Sequence, residues 1–361
     1  MAPSDPAPAK RRGLLILMLG IAFLVVASLV ASSRRPEQND GRLKILCSFL
    51  PVYVFTLNVV GDAPGVEVEM LLSPELGCPH DYSLRPRDMV RVNRADLIIA
   101  NGLDAEPFLE SLLTGKPSGH VLTIADDVTP LEADHECGEH AGADDHAHAH
   151  DHSDAHDHSE GHDHAEGHDH AEGHAEVDAP HKHHHHGHFN PHVWVSPDQA
   201  AREVRTLGRK LAAADHQRAD HYLANAERYA KRLEALAGRM REAAGGFKNR
   251  NIVTFHDAFA YLARDLDLNV VATLTVEPDA GISAHQMREL VGTIQKQQVA
   301  AIFYEPAYSS AVAQSLAEQT GVPAYPLNPF NYLKGQPAAD SYEQVMEENL
   351  KTLQQALGNN P

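Results

Sequence analysis

Short apolar runs alternate along this chain with longer stretches whose apolar positions recur at helical spacing, and that alternation predicts strands joined by helices. After an apolar run at residues 13–31, residues 43–50 (LKILCSFL) read as a buried strand and residues 51–60 as a helix. Residues 66–72 read as a strand, and 73–82 as a loop with two prolines and a glycine. Pro86 opens a helix to about Asn93, since proline suits a first helical turn. Residues 95–100 and 121–124 read as strands around a helix at 106–113. Beyond residue 189 two helices are expected, 197–214 and 216–244. The second carries Tyr222, Ala226, Tyr229, Leu233 and Leu236 along one face, with no internal proline. The first pattern then repeats, with strands at 251–255, 269–274, 300–304 and 324–327 and helices at 257–266, 283–297, 310–320 and 341–357. Ser283 and Gln286 form a capping box for the second of those helices. The fold class expected is α/β: two lobes, each a parallel sheet with flanking helices, with a long helix between them.

One segment breaks the pattern. Residues 135–188 hold nineteen histidines among Asp, Glu, Ala and Gly, and the hexapeptide HDHAEG occurs at His162 and again at His168. With almost no large apolar residue, this stretch has nothing to bury and is expected to be a disordered, metal-capturing loop. It also dominates the charge. Between Leu131 and Asn190 sixteen acids face one base, Lys182, so most of the formal net charge of -20 lies there. No basic patch remains, and nucleic acid is excluded as an expected partner.

Lys10, Arg11 and Arg12 before the apolar run, with Arg34 and Arg35 after it, read as an export signal. The run is close to the roughly 20 residues of a bilayer span, so an uncleaved anchor is the alternative. Either reading puts the bulk of the chain outside the cytoplasm, in the periplasm. No cysteine closes the run, which argues against a lipid anchor. Cys47, Cys78 and Cys137 permit at most one internal disulfide, and no Cys-x-x-Cys pair exists. The division expected is a signal or anchor at 1–42, an N-terminal lobe at 43–134, the histidine-rich loop at 135–188, a return segment at 189–215, a linking helix at 216–246 and a C-terminal lobe at 247–361.

Seven histidines lie outside the rich segment: His80, His120, His192, His216, His221, His256 and His285. His80 sits in a loop after a strand, His256 directly after another, and His192 in the ordered stretch before the long helices. Glu305 also follows a strand, and Asn328 follows the last one. Ligands of open α/β sheets bind beyond the carboxyl ends of strands. Three imidazoles and an oxygen there suit tetrahedral zinc. A single histidine after a strand is more often a surface residue than a ligand; the shared position is what argues otherwise. His216, His221 and His285 fall within helices and read as exposed. Cys78, two residues before His80, could be a ligand, but three histidines leave little need of it, and it reads rather as a buried or free thiol.

Those residues carry a resemblance. Pro79-His80-Asp81-Tyr82-Ser83-Leu84-Arg85-Pro86 with Asp88, Asn190-Pro191-His192-Val193-Trp194 with Ser196-Pro197, Thr254-Phe255-His256-Asp257-Ala258-Phe259, and Phe303-Tyr304-Glu305-Pro306 resemble, in order, four motifs of the zinc-binding solute receptors of ABC transporters. The resemblance covers residues 44–357, and that family often carries a His- and acid-rich insertion where this chain has one. It implies two lobes joined by a rigid helix, a metal cleft between them, His80, His192 and His256 as zinc ligands, and delivery of Zn2+ to a membrane permease and its ATPase by a monomeric receptor. Glu305 is expected behind a ligating histidine, or as a fourth ligand. Manganese-binding relatives place an acid after the final strand, where this chain has Asn328, and tend to replace the third histidine, kept here as His256. The rich segment then reads as accessory, a set of weak sites at His146, His148, His150, His162, His164, His168, His170, His183, His184, His185 and His186. The alternatives are a manganese, iron or nickel receptor of the same fold, a metal buffer or adhesin without a transporter, and a zinc hydrolase with Glu305 as base. No His-Glu-x-x-His pattern supports the last.

Overall fold

The computed structural model describes residues 41–83, 85–109, 120–133, 188–274 and 282–358. The apolar run at 13–31 and all the accessory histidines named above lie outside them. Among the described residues no helix is long and apolar enough to cross a membrane.

The first sheet is built from β1 (Leu43–Cys47), β2 (Val66–Met70), β3 (Leu97–Ala100) and β4 (Val121–Thr123), with α1 (Leu50–Val60) and α2 (Pro86–Arg94) as crossovers. The second is built from β5 (Asn251–Phe255), β6 (Asn269–Leu274), β7 (Ala301–Tyr304) and β8 (Ala324–Pro326). Their spatial orders are β2-β1-β3-β4 and β6-β5-β7-β8, and every pair is parallel. The two sheets thus share one topology. In each, successive crossovers run in opposite directions from the first strand, leaving a switch point between β1 and β3 and another between β5 and β7, where side chains beyond the strand ends face an open crevice.

Between the sheets run α3 (Pro197–Ala214) and α4 (Ala219–Ala244). At 1.5 Å per residue, the 26 residues of α4 span roughly 39 Å. The helix expected from residue 216 starts later because His216–Arg218 form a 3-10 turn ahead of it. Gly208 lets α3 and α4 cross closely: a Cβ built there would lie 2.4 Å from the Ala226 Cβ. Arg205 of α3 ties the pair at the surface, reaching Glu227 at 2.9 Å and Glu234 at 2.6 Å on α4.

With the second sheet go α5 (Ala260–Leu266), α6 (Ala284–Lys296) and α7 (Ala311–Thr320), while the last helix, α8 (Ser341–Leu353), packs against α4 and α1. The Ser283–Gln286 capping box forms as expected. The helix read at 257–266 divides into a 3-10 turn, Asp257–Phe259, and α5. One apolar core runs through both lobes, from Ile45 and Phe55 through Tyr229 and Leu233 to Phe303 and Tyr342. Phe55 of α1 meets the Tyr342 ring of α8 at 5.2 Å between centroids, and Tyr342 meets Phe330 at 5.1 Å. These contacts join the two lobes through one continuous core.

Candidate metal centre

The two switch points face each other. In the second sheet β5 ends at Phe255 and β7 at Tyr304, which sets His256 and Glu305 side by side, Nδ1 to Oε1 at 3.2 Å. Residue 256 reaches this place at φ 72°, ψ 146°, a conformation that side chains other than glycine avoid. Glu305 is 1% exposed, and its other oxygen accepts from Asn331 Nδ2 at 3.2 Å. An ionised carboxylate only accepts, so the proton between the two side chains sits on His256 Nδ1 and leaves Nε2 as the donor atom. Burial alone disfavours the charged imidazole; Cys78 and the Glu305 carboxylate outweigh it and raise the His256 pKa well above the usual histidine range, so a metal arriving at Nε2 displaces a proton there.

In the first sheet Ser48 follows β1 and Asn101 follows β3, and both bind the buried Glu106. Ser48 Oγ and the Asn101 backbone N–H each donate to its Oε1 at 2.7 Å. Asn101 Nδ2 donates to the Pro191 carbonyl at 3.1 Å, which fixes the strap that carries His192. Tyr261 Oη donates to the Asn190 carbonyl at 2.9 Å, and Trp194 Nε1 to the Pro329 carbonyl at 2.8 Å, so the strap is pinned to the second lobe as well. Asn190 does the finest positioning. Its Nδ2 donates to the Asp257 carbonyl and carboxylate, both at 2.8 Å, and its Oδ1 accepts from the His192 backbone N–H at 2.9 Å. These contacts settle the amide orientation, so His192 Nδ1, 3.0 Å from Oδ1, must be the protonated nitrogen. The His192 donor atom is therefore also Nε2.

His80 comes from a 3-10 turn, Pro79–Asp81, in the long loop after β2. Its ring lies 5.4 Å from that of His192, and the His192 ring lies 4.6 Å from that of His256, centroid to centroid. His80, His192, His256 and Glu305, distant in sequence, are thus brought together. His120, His216, His221 and His285 play no part: His221 lies 3.1 Å from the Val60 carbonyl, and His285 faces Glu289 one helical turn on. The Asn328 side chain is occupied locally, donating to the Tyr332 carbonyl and accepting from the Phe330 N–H. Asn190 and Asn331 escaped the sequence reading as positioning groups. Cys78 is buried and free, as expected, but it is not remote: its Sγ lies 3.9 Å from His192 Nε2, and Cys78, His80 and His192 offer donor atoms all within 4.8 Å of one another.

A pair of like-ordered parallel sheets facing each other across a histidine cluster, with a long helix behind, defines a two-lobed metal receptor. Residues 45–356 match the model of the zinc-uptake complex component A, periplasmic, and the chain belongs to this ZnuA family. It is 31% identical over 356 residues to the zinc-binding lipoprotein AdcA of Streptococcus pneumoniae serotype 4, an alignment covering 96% of this chain and 61% of AdcA. The chain therefore spans about three fifths of that relative's length. It is 27% identical to the high-affinity zinc uptake system protein ZnuA of Bacillus subtilis, over 95% of this chain and 97% of that one. The crystal structure of Zn(II)-bound AdcA from S. pneumoniae superimposes with a TM-score of 0.65 at 27% identity, covering 89% of this chain and 59% of AdcA.

Proposed function

We propose that the chain captures Zn2+ outside the cytoplasm and hands it to an ABC permease powered by an ATPase, acting as a monomeric receptor and not as an enzyme. His80, His192 and His256 are the ligands. The observation that carries this reading is the matched orientation of two imidazoles: Asn190 holds the His192 Nδ1 proton and Glu305 the His256 Nδ1 proton, so Nε2 is the nitrogen each ring presents to a metal. Oxygen acceptors behind ligating histidines are the usual way a protein fixes ring orientation and raises ligand basicity. A nitrogen-rich set suits zinc better than manganese, which favours carboxylate and water. The names of the relatives, a zinc-binding lipoprotein and a zinc uptake protein, agree. In this reading the histidine-rich segment 135–188 supplies weak, multivalent capture that raises the local zinc concentration.

Calorimetric titration of metal-free protein lacking residues 135–188 tests the proposal. It should show one tight equivalent of Zn2+, abolished by H192A. The full chain should bind further, weaker equivalents. Loss of the tight site on deletion, or stoichiometric preference for Mn2+, would overturn the assignment.

A further inference from the structure

The three histidines leave one corner of a tetrahedron, and a side chain already stands near it. We infer that Cys78 is the fourth protein ligand, binding as a thiolate, so that the receptor holds zinc in a three-nitrogen, one-sulfur shell. This rests on the zinc-receptor reading above and deepens it.

Distance is the first support. Zinc bonds of about 2.0 Å to nitrogen and 2.3 Å to sulfur, at a tetrahedral angle, put the two donor atoms about 3.5 Å apart. Sγ of Cys78 and Nε2 of His192 are 3.9 Å apart, so a shift of a few tenths of an ångström brings both onto one ion. The His80 donor belongs to the same group, within 4.8 Å, and the His256 ring lies 4.6 Å from that of His192, centroid to centroid. The turn that carries the sulfur runs close to the opposite lobe. Gly77 sits at φ +90°, and a Cβ there would meet the Tyr308 hydroxyl at 3.4 Å and Ala307 at 3.7 Å, both in the loop that follows Glu305.

Charge is the second support. Three neutral imidazoles would leave a full double charge in a site whose walls are mostly buried, which is costly without an anionic partner. Glu305 is engaged by His256 Nδ1 through one oxygen and Asn331 through the other, and serves best from behind the histidine. Cys78 is 4% exposed and free of any disulfide. On binding, the S–H bond gives up its proton to solvent as the S–Zn bond forms, so one anionic ligand replaces one thiol hydrogen. A thiolate also biases the site toward zinc and cadmium and against manganese.

Cobalt spectroscopy of the full chain in a C137S background tests this, Cys137 being the cysteine of the histidine-rich segment. The first equivalent of Co2+ should produce a sulfur-to-cobalt charge-transfer band in the near ultraviolet, and C78S should lose it while still binding one tight cobalt through the histidines. Zinc affinity of C78S should fall at least roughly 10-fold. One tight cobalt, abolished by H192A but with no such band in the C137S protein, would overturn the thiolate and leave the three-histidine receptor standing. Absence of any tight cobalt or zinc site would overturn both. The spectrum of the C137S protein decides the question by itself if C78S fails to fold.

Discussion

Asn190 accepts both the backbone N–H and the Nδ1–H of His192 through a single oxygen while its amide nitrogen donates to Asp257, the residue next to His256. One side chain therefore sets the angle between two of the three proposed ligands. N190A should weaken zinc binding by about 10–100-fold with little loss of fold. N190D should be worse, because it places a carboxylate against the Asp257 carbonyl and carboxylate. Competition with a chelating dye measures both; an N190D protein that binds like the native one would refute the positioning role.

His256 pays for its position in backbone strain, since φ 72° with ψ 146° is glycine territory. Metal-free H256G should therefore be more stable than H256A by about 1 kcal/mol, after allowing for the greater freedom of glycine in the unfolded chain. Neither should bind zinc tightly. Denaturant unfolding of the two metal-free variants gives the comparison, and equal stability would contradict it.

The α3–α4 crossing at Gly208 makes the opposite demand. Alanine is the better helix former by about 1 kcal/mol. Its Cβ would, however, sit 2.4 Å from that of Ala226, far inside contact distance, and both atoms belong to rigid helices. Overpacking should win, and G208A should lower stability by about 1–3 kcal/mol, measured as a fall in the unfolding midpoint.

Two acids are buried behind the first switch point. Burial pushes Glu106 up to about 7, against the hydrogen bonds from Asn101, Ser48 and Gly102, which pull it down. Glu203 of α3, fully buried with both carboxylate oxygens unpartnered among the described residues, is raised further by burial and then by Glu106. A folded-state pKa above the unfolded one means the folded protein holds protons that the unfolded chain releases. Stability from Glu106 is complete below about 4.5 and is lost as pH rises toward about 7, a change on the order of 3 kcal/mol. E203Q should remove the cost of keeping Glu203 protonated, so its advantage over the native protein should grow from pH 6 to pH 8. A pH-independent difference in melting temperature would contradict this.

Much of this molecule was legible in its residues because the relevant signals are local. Apolar runs of strand length, Pro86 and Pro197 at helix starts, and the Ser283–Gln286 box each act within a few positions, and the elements formed close to where they were read. The meeting of His256 and Glu305 was legible because each directly follows a strand of one parallel sheet. The neighbourhood of Cys78 was not legible, for a different reason. Its Sγ comes within 3.9 Å of His192, 114 positions away, and no periodicity records such a distance. Asn190, Asn331 and the Ser48–Asn101–Glu106 group were missed likewise: each is a polar residue whose partner comes from another element, and alone each reads as turn or loop chemistry.

The central claim is that the specific site lies in the crevice between the lobes and not in the histidine-rich segment. Anomalous diffraction at the zinc edge from crystals of the zinc-loaded full chain tests it most directly. The account predicts one fully occupied peak within bonding distance of Nε2 of His80, His192 and His256. A crevice without zinc, with the only strong peaks bound by histidines of the 135–188 segment, would contradict it.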